Sequence, residues 1–292
     1  MQVVILFILV SIIGASGNIL TKLALEDFPP VIIVFLRFSL AAVILLPFVL
    51  RKKIEIIPGT FKLIALSGIV ASLNSLLFAL GLGHTSVLTA QLMFIPSALL
   101  VAVIGFIFLK EKLSKNQIIG LLLTMMGMGI LILGSMQAQD VLSLGKPLGN
   151  ILIASAVLTW AFYIVVSRKL LKHYDPIFIS FSNFIFAGII SLPFAMHEFN
   201  KGFSVYNVSQ TGVLSILGLT FLASIAFYLI IQKLIKITSA FIGSLTMYGI
   251  FLTVSILGPI IFQEKITPTF LIACAFIIPG VFIATRSGKI SL

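Results

Sequence analysis

Ten long apolar stretches run along the 292-residue chain and constrain its fold more than any other feature. A helix that crosses a bilayer needs about 20 mostly apolar residues, and the stretches come close to that length. They do not alternate between polar and apolar residues, as the strands of a membrane β-barrel would. The sequence therefore predicts an all-α membrane protein with ten transmembrane helices. The predicted spans are Val3–Leu23, Val31–Leu50, Leu63–Leu82, Thr89–Leu109, Ile118–Met136, Leu148–Leu170, Ile177–Met196, Val213–Ile231, Ala240–Phe262 and Phe270–Thr285.

Charged residues make up only 9% of the chain, and most of the cations fall on one side of the predicted membrane. With a cytoplasmic N-terminus, the inside segments carry fourteen Lys and Arg residues and the outside segments carry four. The positive-inside rule then predicts a multi-pass protein of the cell membrane with both termini in the cytoplasm. Because this sidedness accounts for the net charge of +11, we expect the lipid bilayer, and no nucleic acid, as a partner.

The second regularity of the sequence is an internal repeat. At an offset of 153 residues, segment 85–130 matches segment 238–283 at twelve positions without a gap. At an offset of 146 residues, segment 30–48 matches segment 176–194. The difference between the offsets places an insertion in the second copy. The sequence thus indicates an internal duplication of one helix bundle.

Each predicted repeat, residues 1–140 and residues 146–292, holds five predicted spans in the same order. Because five is an odd number, the second copy must lie upside down relative to the first. Inverted repeats of this kind are typical of secondary transporters, which bind their substrate where the two halves meet. The sequence therefore predicts two inverted five-helix repeats around a central substrate site.

Short motifs at matching places in the repeats carry a resemblance to a known family. Arg37 lies early in the second span, a segment with a Thr-Ser pair runs from Ala79 to Pro96, and Leu109–Ser114 returns as Phe262–Thr267. With two copies in register and ten predicted spans, the chain resembles ten-helix members of the drug/metabolite transporter superfamily of the EamA type. The resemblance covers nearly the whole chain.

The resemblance implies an arrangement of the spans and a direction of transport. The first four spans of each half would line the pathway, while the fifth and tenth would support it or form the contacts of a homodimer. Export is the direction that the resemblance favours. One departure from the family pattern is Gly249, which stands where the first repeat has Pro96. The sequence therefore does not decide whether the ninth span is kinked.

Polar residues within the predicted spans mark candidate positions for a cavity. Small and hydroxyl residues also serve close helix packing, so they do not distinguish a cavity from a packing seam. A carboxamide is more informative, because leaving it unpaired in lipid would cost several kcal/mol. We therefore assign Asn18, Asn74, Gln91 and Asn183 to a hydrated substrate cavity.

One arginine and four aromatic residues complete the predicted substrate site. Arg37 lies about six residues inside its span, roughly 9 Å deep at the rise of an α-helix. It either braces a neighbouring helix or snorkels to the surface, or it attracts an anionic group of the substrate. Trp160, Tyr163, Tyr228 and Tyr248 lie at mid-span or close to it, away from the interfaces where such residues usually anchor. They either pack together or form an aromatic wall for an organic solute.

A Glu-Lys pair follows the fourth span and recurs after the ninth, as Glu111-Lys112 and Glu264-Lys265. Each glutamate either caps the start of the next span, with a hydroxyl residue three positions later as N-cap, or pairs across the halves as a gate. All eight acidic residues fall at span ends or in loops. A proton relay through buried carboxylates is therefore not expected.

These observations lead to a specific expectation about function. We expect a secondary transporter that exports a small organic metabolite, neutral or zwitterionic such as an amino acid, by alternating access. One alternative is a flippase of a lipid-linked or amphiphilic substrate on the same fold, and another is a polytopic membrane protein that transports nothing. The sequence shows no catalytic motif, no metal-ligand spacing and no cofactor motif, so we expect neither an enzyme nor a bound metal or cofactor.

Overall fold

The computed structural model describes residues 2–52, 54–109, 115–137 and 144–286. Every regular element in these residues is helical, as predicted. Eight helical runs in them are long and apolar enough to cross a membrane. The predicted fifth and tenth spans contain shorter apolar stretches, Ile118–Leu131 and Pro268–Gly280. The prediction of an α-helical membrane protein is confirmed. Of the ten predicted spans, eight contain a helical run that is long and apolar enough to cross a membrane.

Twelve α-helices make up the described part of the chain. They are α1 (Gln2–Ala24), α2 (Pro30–Leu50), α3 (Phe61–Leu82), α4 (Val87–Phe94), α5 (Ser97–Leu109), α6 (Lys115–Gln137), α7 (Pro147–Leu170), α8 (Pro176–Asn200), α9 (Gln210–Gly218), α10 (Phe227–Ile237), α11 (Ala240–Phe262) and α12 (Pro268–Arg286). A 3₁₀ turn spans Val205–Asn207, and a π-helical stretch, Leu219–Ala226, which we call the π segment, joins α9 to α10. The predicted eighth span is thus one run of α9, the π segment and α10.

Hydroxyl and carboxylate side chains set where several of these helices begin. A side-chain oxygen just before the helix accepts a hydrogen bond from a backbone N–H of the first turn, which would otherwise lack a partner. The capping residues are Ser86 before α4, Asp175 before α8, Ser209 before α9, Ser239 before α11 and Thr267 before α12. Thr267 therefore caps α12 as its place after the Glu-Lys pair predicts.

The fourth and ninth predicted spans occupy equivalent places in the two predicted repeats, but their helices differ. Pro96 lies in the gap between α4 and α5, whereas α11 runs without a break through Gly249. A Cβ atom at position 249 would overlap the Oγ atom of Ser11 on α1. The glycine is required by this close approach of α1 and α11, and the ninth span is continuous at the position where the fourth has a break.

The helices pack around α4, which is buried along its whole length. Helices α1, α3, α7 and α11 all contact it. Outside this centre, α2 packs against α8, α3 packs against α7 and α8, and α1 packs against α11 and against the run from α9 to α10. Helices α6 and α12 pack mainly against each other.

The turn between α3 and α4 is fixed by two charged side chains from elsewhere in the chain. Lys22 of α1 donates to the carbonyl oxygens of Leu82 and Thr85, both at 2.8 Å. Glu264, in the loop between α11 and α12, accepts from the backbone N–H groups of Val87 at 2.6 Å and Leu88 at 2.9 Å. Glu264 therefore caps α4, a helix of the other predicted repeat, and not the helix that follows it.

This cap is a charge-assisted contact at the positive end of a helix. Burial raises the pKa of the Glu264 carboxyl above its ordinary value, although the two N–H donors and the nearby Lys22 act in the opposite direction. The equivalent predicted motif of the first repeat, with Glu111, Lys112 and Ser114, lies outside the described residues.

The cap on α4 gives a first prediction. Glu264→Ala leaves the Val87 and Leu88 N–H groups without their acceptor, and we expect it to lower the free energy of unfolding by about 1–3 kcal/mol. The measurement is thermal unfolding of the purified protein in detergent. Glu198→Ala is the matched control, because Glu198 makes only a surface ion pair with Lys201 at 3.2 Å and should cost at most about 1 kcal/mol. Equal effects of the two variants would contradict the proposed cap.

The close approach of α1 to the π segment gives a second prediction. A Cβ atom at Gly17 would lie 2.7 Å from the Cβ atom of Ala223, whereas a Cβ atom at Gly129 would meet nothing within 4 Å. We expect Gly17→Ala to destabilise the protein by about 1–3 kcal/mol through overpacking. Gly129→Ala should be neutral or stabilise it by about 0.5–1 kcal/mol, because alanine is the better helix former. The same unfolding assay checks both, and a harmless Gly17→Ala would show that the two helices are free to separate.

Candidate functional site

A cavity with a volume of ≈ 90 Å³ lies inside the helix bundle. Its walls come from α1, α2, α3 and α4 on one side and from α7, the π segment, α10 and α11 on the other. A cavity needs a volume of roughly 10–15 Å³ to hold one ordered water. Several waters or a small solute group therefore fit in this one. The cavity thus lies where the two predicted repeats meet.

Six of the nine predicted substrate-site residues line this cavity. They are Asn18, Arg37, Asn74, Gln91, Trp160 and Tyr228. They come from six different helices, and the largest sequence separation among them is between α1 and α10. The structure therefore brings together side chains that the sequence could assign only one helix at a time.

The other three predicted site residues, Tyr163, Asn183 and Tyr248, do not line the cavity. Tyr163 is fully buried, and its hydroxyl accepts a hydrogen bond from Gln232 Nε2 at 2.6 Å. Asn183 Nδ2 lies 3.5 Å from the same hydroxyl. Tyr163, Asn183 and Gln232 thus form a buried polar cluster that joins α7, α8 and α10. A position at mid-span therefore does not by itself distinguish a residue of this cluster from a residue that lines the cavity.

Several lining residues were not predicted from the sequence. Gly14, Gly17 and Thr21 share one face of α1 with Asn18, at steps of three and four residues, and all four line the cavity. That spacing was a usable signal, because residues three and four apart lie on the same face of a helix. Phe227 on α10 carried no such signal, since phenylalanine is ordinary lipid-facing material in this chain.

Asn74 is a cavity-lining residue whose amide group is already engaged. Its Nδ2 atom donates to the carbonyl oxygen of Ala156 at 2.7 Å, which ties α3 to α7. A satisfied donor of this kind stabilises helix packing in a membrane. Asn74 therefore shapes the cavity wall more than it offers a free group to a ligand.

Three other lining residues carry buried polar atoms that have no hydrogen-bond partner in the protein. These atoms are Nδ2 of Asn18, Oε1 of Gln91 and Nε1 of Trp160. An unsatisfied buried polar atom costs about 1–3 kcal/mol, so proteins rarely leave one without a reason. Because all three residues line the cavity, water or a solute in the cavity is the partner that can satisfy them.

Arg37 both braces the bundle and faces the cavity. Its Nε atom donates to Ser224 Oγ at 3.0 Å, and its Nη2 atom donates to the carbonyl oxygen of Ala223 at 3.1 Å. Both acceptors belong to the π segment, a helix geometry that often occurs at functional sites. The guanidinium carbon also lies 4.6 Å from the ring centre of Phe38. Among the described residues, no carboxylate forms an ion pair with Arg37.

Aromatic rings form one wall of the site. The ring centroids of Trp160 and Phe227 are 6.1 Å apart, and those of Phe227 and Tyr228 are 5.8 Å apart. Tyr228 also packs edge-on against Phe38 at 5.9 Å. Such a wall suits an organic solute, including a cation held against the ring faces.

The described part of the chain holds no group of three or more His, Cys, Asp or Glu residues that could bind a metal ion. The residues that line the cavity offer hydrogen bonding, one positive charge and aromatic contact. These are binding functions.

Comparisons with known proteins show which family the chain belongs to. The sequence model of the EamA-like transporter family matches residues 1–133 and 147–286. An uncharacterized transporter of Bacillus subtilis, YetK, is 28% identical over 289 residues, which cover 96% of this chain and 85% of YetK. A probable amino-acid metabolite efflux pump of Salmonella typhimurium is 25% identical over 233 residues, which cover 76% of this chain and 74% of the pump.

The fold is also found among solved structures. One crystal structure superposes with a TM-score of 0.60 and 18% sequence identity, and the match covers 95% of this chain and 96% of that one. The family match extends over both predicted repeats. The protein is therefore a membrane transporter and not an enzyme, and the chain belongs to the EamA-like transporter family.

Proposed function

We propose that this protein is a secondary transporter that exports a small organic metabolite, zwitterionic or neutral, such as an amino acid, by alternating access. The observation that carries the proposal is the set of unpartnered polar atoms of Asn18, Gln91 and Trp160 around one cavity at the centre of the bundle. The efflux pumps of Salmonella typhimurium and Escherichia coli, named for amino-acid metabolites, support this substrate class and direction at 25% and 26% identity.

The mechanism we propose depends on ten spans arranged as two inverted five-helix repeats, residues 1–140 and 146–292. Support comes from two equivalent cation contacts. Lys22 donates to the Leu82 carbonyl at 2.8 Å, and Arg168 donates to the Ile235 carbonyl at 2.6 Å. Lys22 and Arg168 are 146 residues apart, and Leu82 and Ile235 are 153 apart, which are the two offsets of the sequence repeat.

Helix packing follows the same pattern. Helix α1 contacts α11, and α7 makes the equivalent contacts with α4 and α5. Helix α3 contacts α7, and the run from α9 to α10 makes the equivalent contacts with α1. The pair of α6 and α12 packs mainly on itself, which suits the supporting or homodimer role expected for the fifth and tenth spans.

Alternating access requires contacts between the halves that can open and close. The Glu264 cap on α4 is such a contact, because a loop of the second repeat holds the start of a helix of the first. Rocking of one half against the other around a fixed central site is the usual motion of transporters with inverted repeats. In the proposed cycle, Glu264 releases the start of α4 when the cavity opens to the outside.

The central site gives a third prediction. A ligand at about 100 times its dissociation constant stabilises a protein by about 2.7 kcal/mol, so a thermal-shift screen of metabolites should reveal the substrate. Asn18→Ala and Trp160→Ala should abolish the ligand-induced shift while the ligand-free proteins remain folded. Asn183→Ala is the matched control and should keep the shift, because Asn183 does not line the cavity. An undiminished shift in both cavity variants would move the site elsewhere.

The inverted topology gives a fourth prediction. In a Cys274→Ala background, which removes the one native cysteine, Lys265→Cys should react with a membrane-impermeant thiol reagent in intact cells. Lys112→Cys should react only after the membrane is opened, because the positive-inside count places it in the cytoplasm. Labelling of both positions from the same side would exclude the inverted repeat.

A further inference from the structure

We propose that Arg37, together with the free donors of Asn18 and Trp160, forms a subsite for a carboxylate group, so that the transporter selects solutes that carry one. The inference rests on the proposed transport function, because it names the part of the solute that the central cavity recognises. It narrows the class from neutral or zwitterionic solutes to carboxylates.

The hydrogen bonds of Arg37 leave a defined set of donors for a ligand. A guanidinium has five N–H donors. Nε and Nη2 use one donor each on Ser224 and Ala223, at 3.0 Å and 3.1 Å. Among the described residues Nη1 makes no hydrogen bond, while Arg37 lines the cavity. The brace on the π segment therefore holds the guanidinium in place and leaves both donors of Nη1 and one donor of Nη2. A carboxylate can accept one N–H from each of the two Nη atoms, which form the parallel pair of a bidentate contact.

The charge of the cavity favours an anionic group. Arg37 is the one charged residue among the described lining residues, and no described carboxylate pairs with it. An uncompensated charge inside a membrane protein is costly, and such a residue usually marks a substrate or ion pathway. The other nearby cation, Lys22, is already bound to the carbonyl oxygens of Leu82 and Thr85. A single positive charge matches a carboxylate better than a phosphate dianion.

The unpartnered neutral groups have the polarity that such a ligand needs. Asn18 Nδ2 and Trp160 Nε1 are donors, which suit carboxylate oxygens, and Gln91 Oε1 is an acceptor. An ammonium group could donate to Gln91 and rest against the face of Tyr228, since aromatic rings attract cations. An α-amino acid therefore satisfies each kind of free group that the cavity presents.

The decisive comparison is between an amino acid and its own amide. The amide replaces the carboxylate by a neutral group of nearly the same shape, so only the charge and the acceptor strength change. Purified wild-type protein is first screened with the common L-amino acids by thermal shift, and the strongest ligand is titrated beside its amide. We expect the amide to bind about 30-fold more weakly or worse, as the loss of one partner of a desolvated charge pair implies.

Variants then assign the preference to Arg37. Arg37→Gln should bind the acid and the amide within about threefold of each other. Arg168→Gln removes an arginine that also donates to backbone carbonyls, those of Ile235 and Lys236, but that does not line the cavity, so it should keep the preference.

Each other outcome overturns the inference. If the wild type binds the acid and the amide equally, the cavity recognises no carboxylate, and the proposed transport function stands without this subsite. If Arg37→Gln keeps the preference for the acid, another residue binds the carboxylate. If the protein binds neither these amino acids nor any other metabolite of the screen, the proposed function falls, and the inference falls with it. The wild-type comparison does not depend on how well any variant folds.

Discussion

The structure depends on one constraint, which is that the core of a bilayer offers no water to a polar group. A buried donor or acceptor without a partner in the protein or in an internal cavity is therefore costly. Hydroxyl groups meet this demand locally, as when Ser72 donates to Gly68 and Thr220 donates to Ile216, each four residues back. What remains unpartnered around the cavity, on Asn18 and Trp160 among others, therefore indicates where the protein expects a ligand or water.

Helix α4 connects stability to function because it is both central and short. All eight of its residues are buried, and its first turn is held by Glu264 while Lys22 holds the preceding turn. Both contacts join parts of the chain that are far apart in sequence, and both lie at one end of the cavity-lining helices. The contacts that stabilise α4 are thus also the contacts that would have to change if the halves moved.

The bracing role of Arg37 is compatible with the binding role that we propose for it. Two of its donors hold Ser224 and Ala223 of the π segment, which orders the guanidinium before any ligand arrives. A preorganised group loses less entropy on binding than a flexible one. Of the alternatives that the sequence left open for Arg37, the structure shows the brace, and the carboxylate subsite that we propose would use the donors that the brace leaves.

The sequence by itself determined the helical membrane class, because the length and apolar composition of a span are properties of each segment alone. It also assigned Asn18 and Gln91 to a cavity, because a carboxamide within a span needs a polar partner, and both residues line the cavity of the folded protein. Only the tertiary structure decided that Tyr163 belongs to the buried polar cluster with Asn183 and Gln232. It also decided that Glu264 caps α4 rather than the next helix. Helical periodicity says which residues share a face, but it does not say which distant helix that face meets. Such contacts join residues that are 69 and 177 positions apart, and only the folded bundle brings them together.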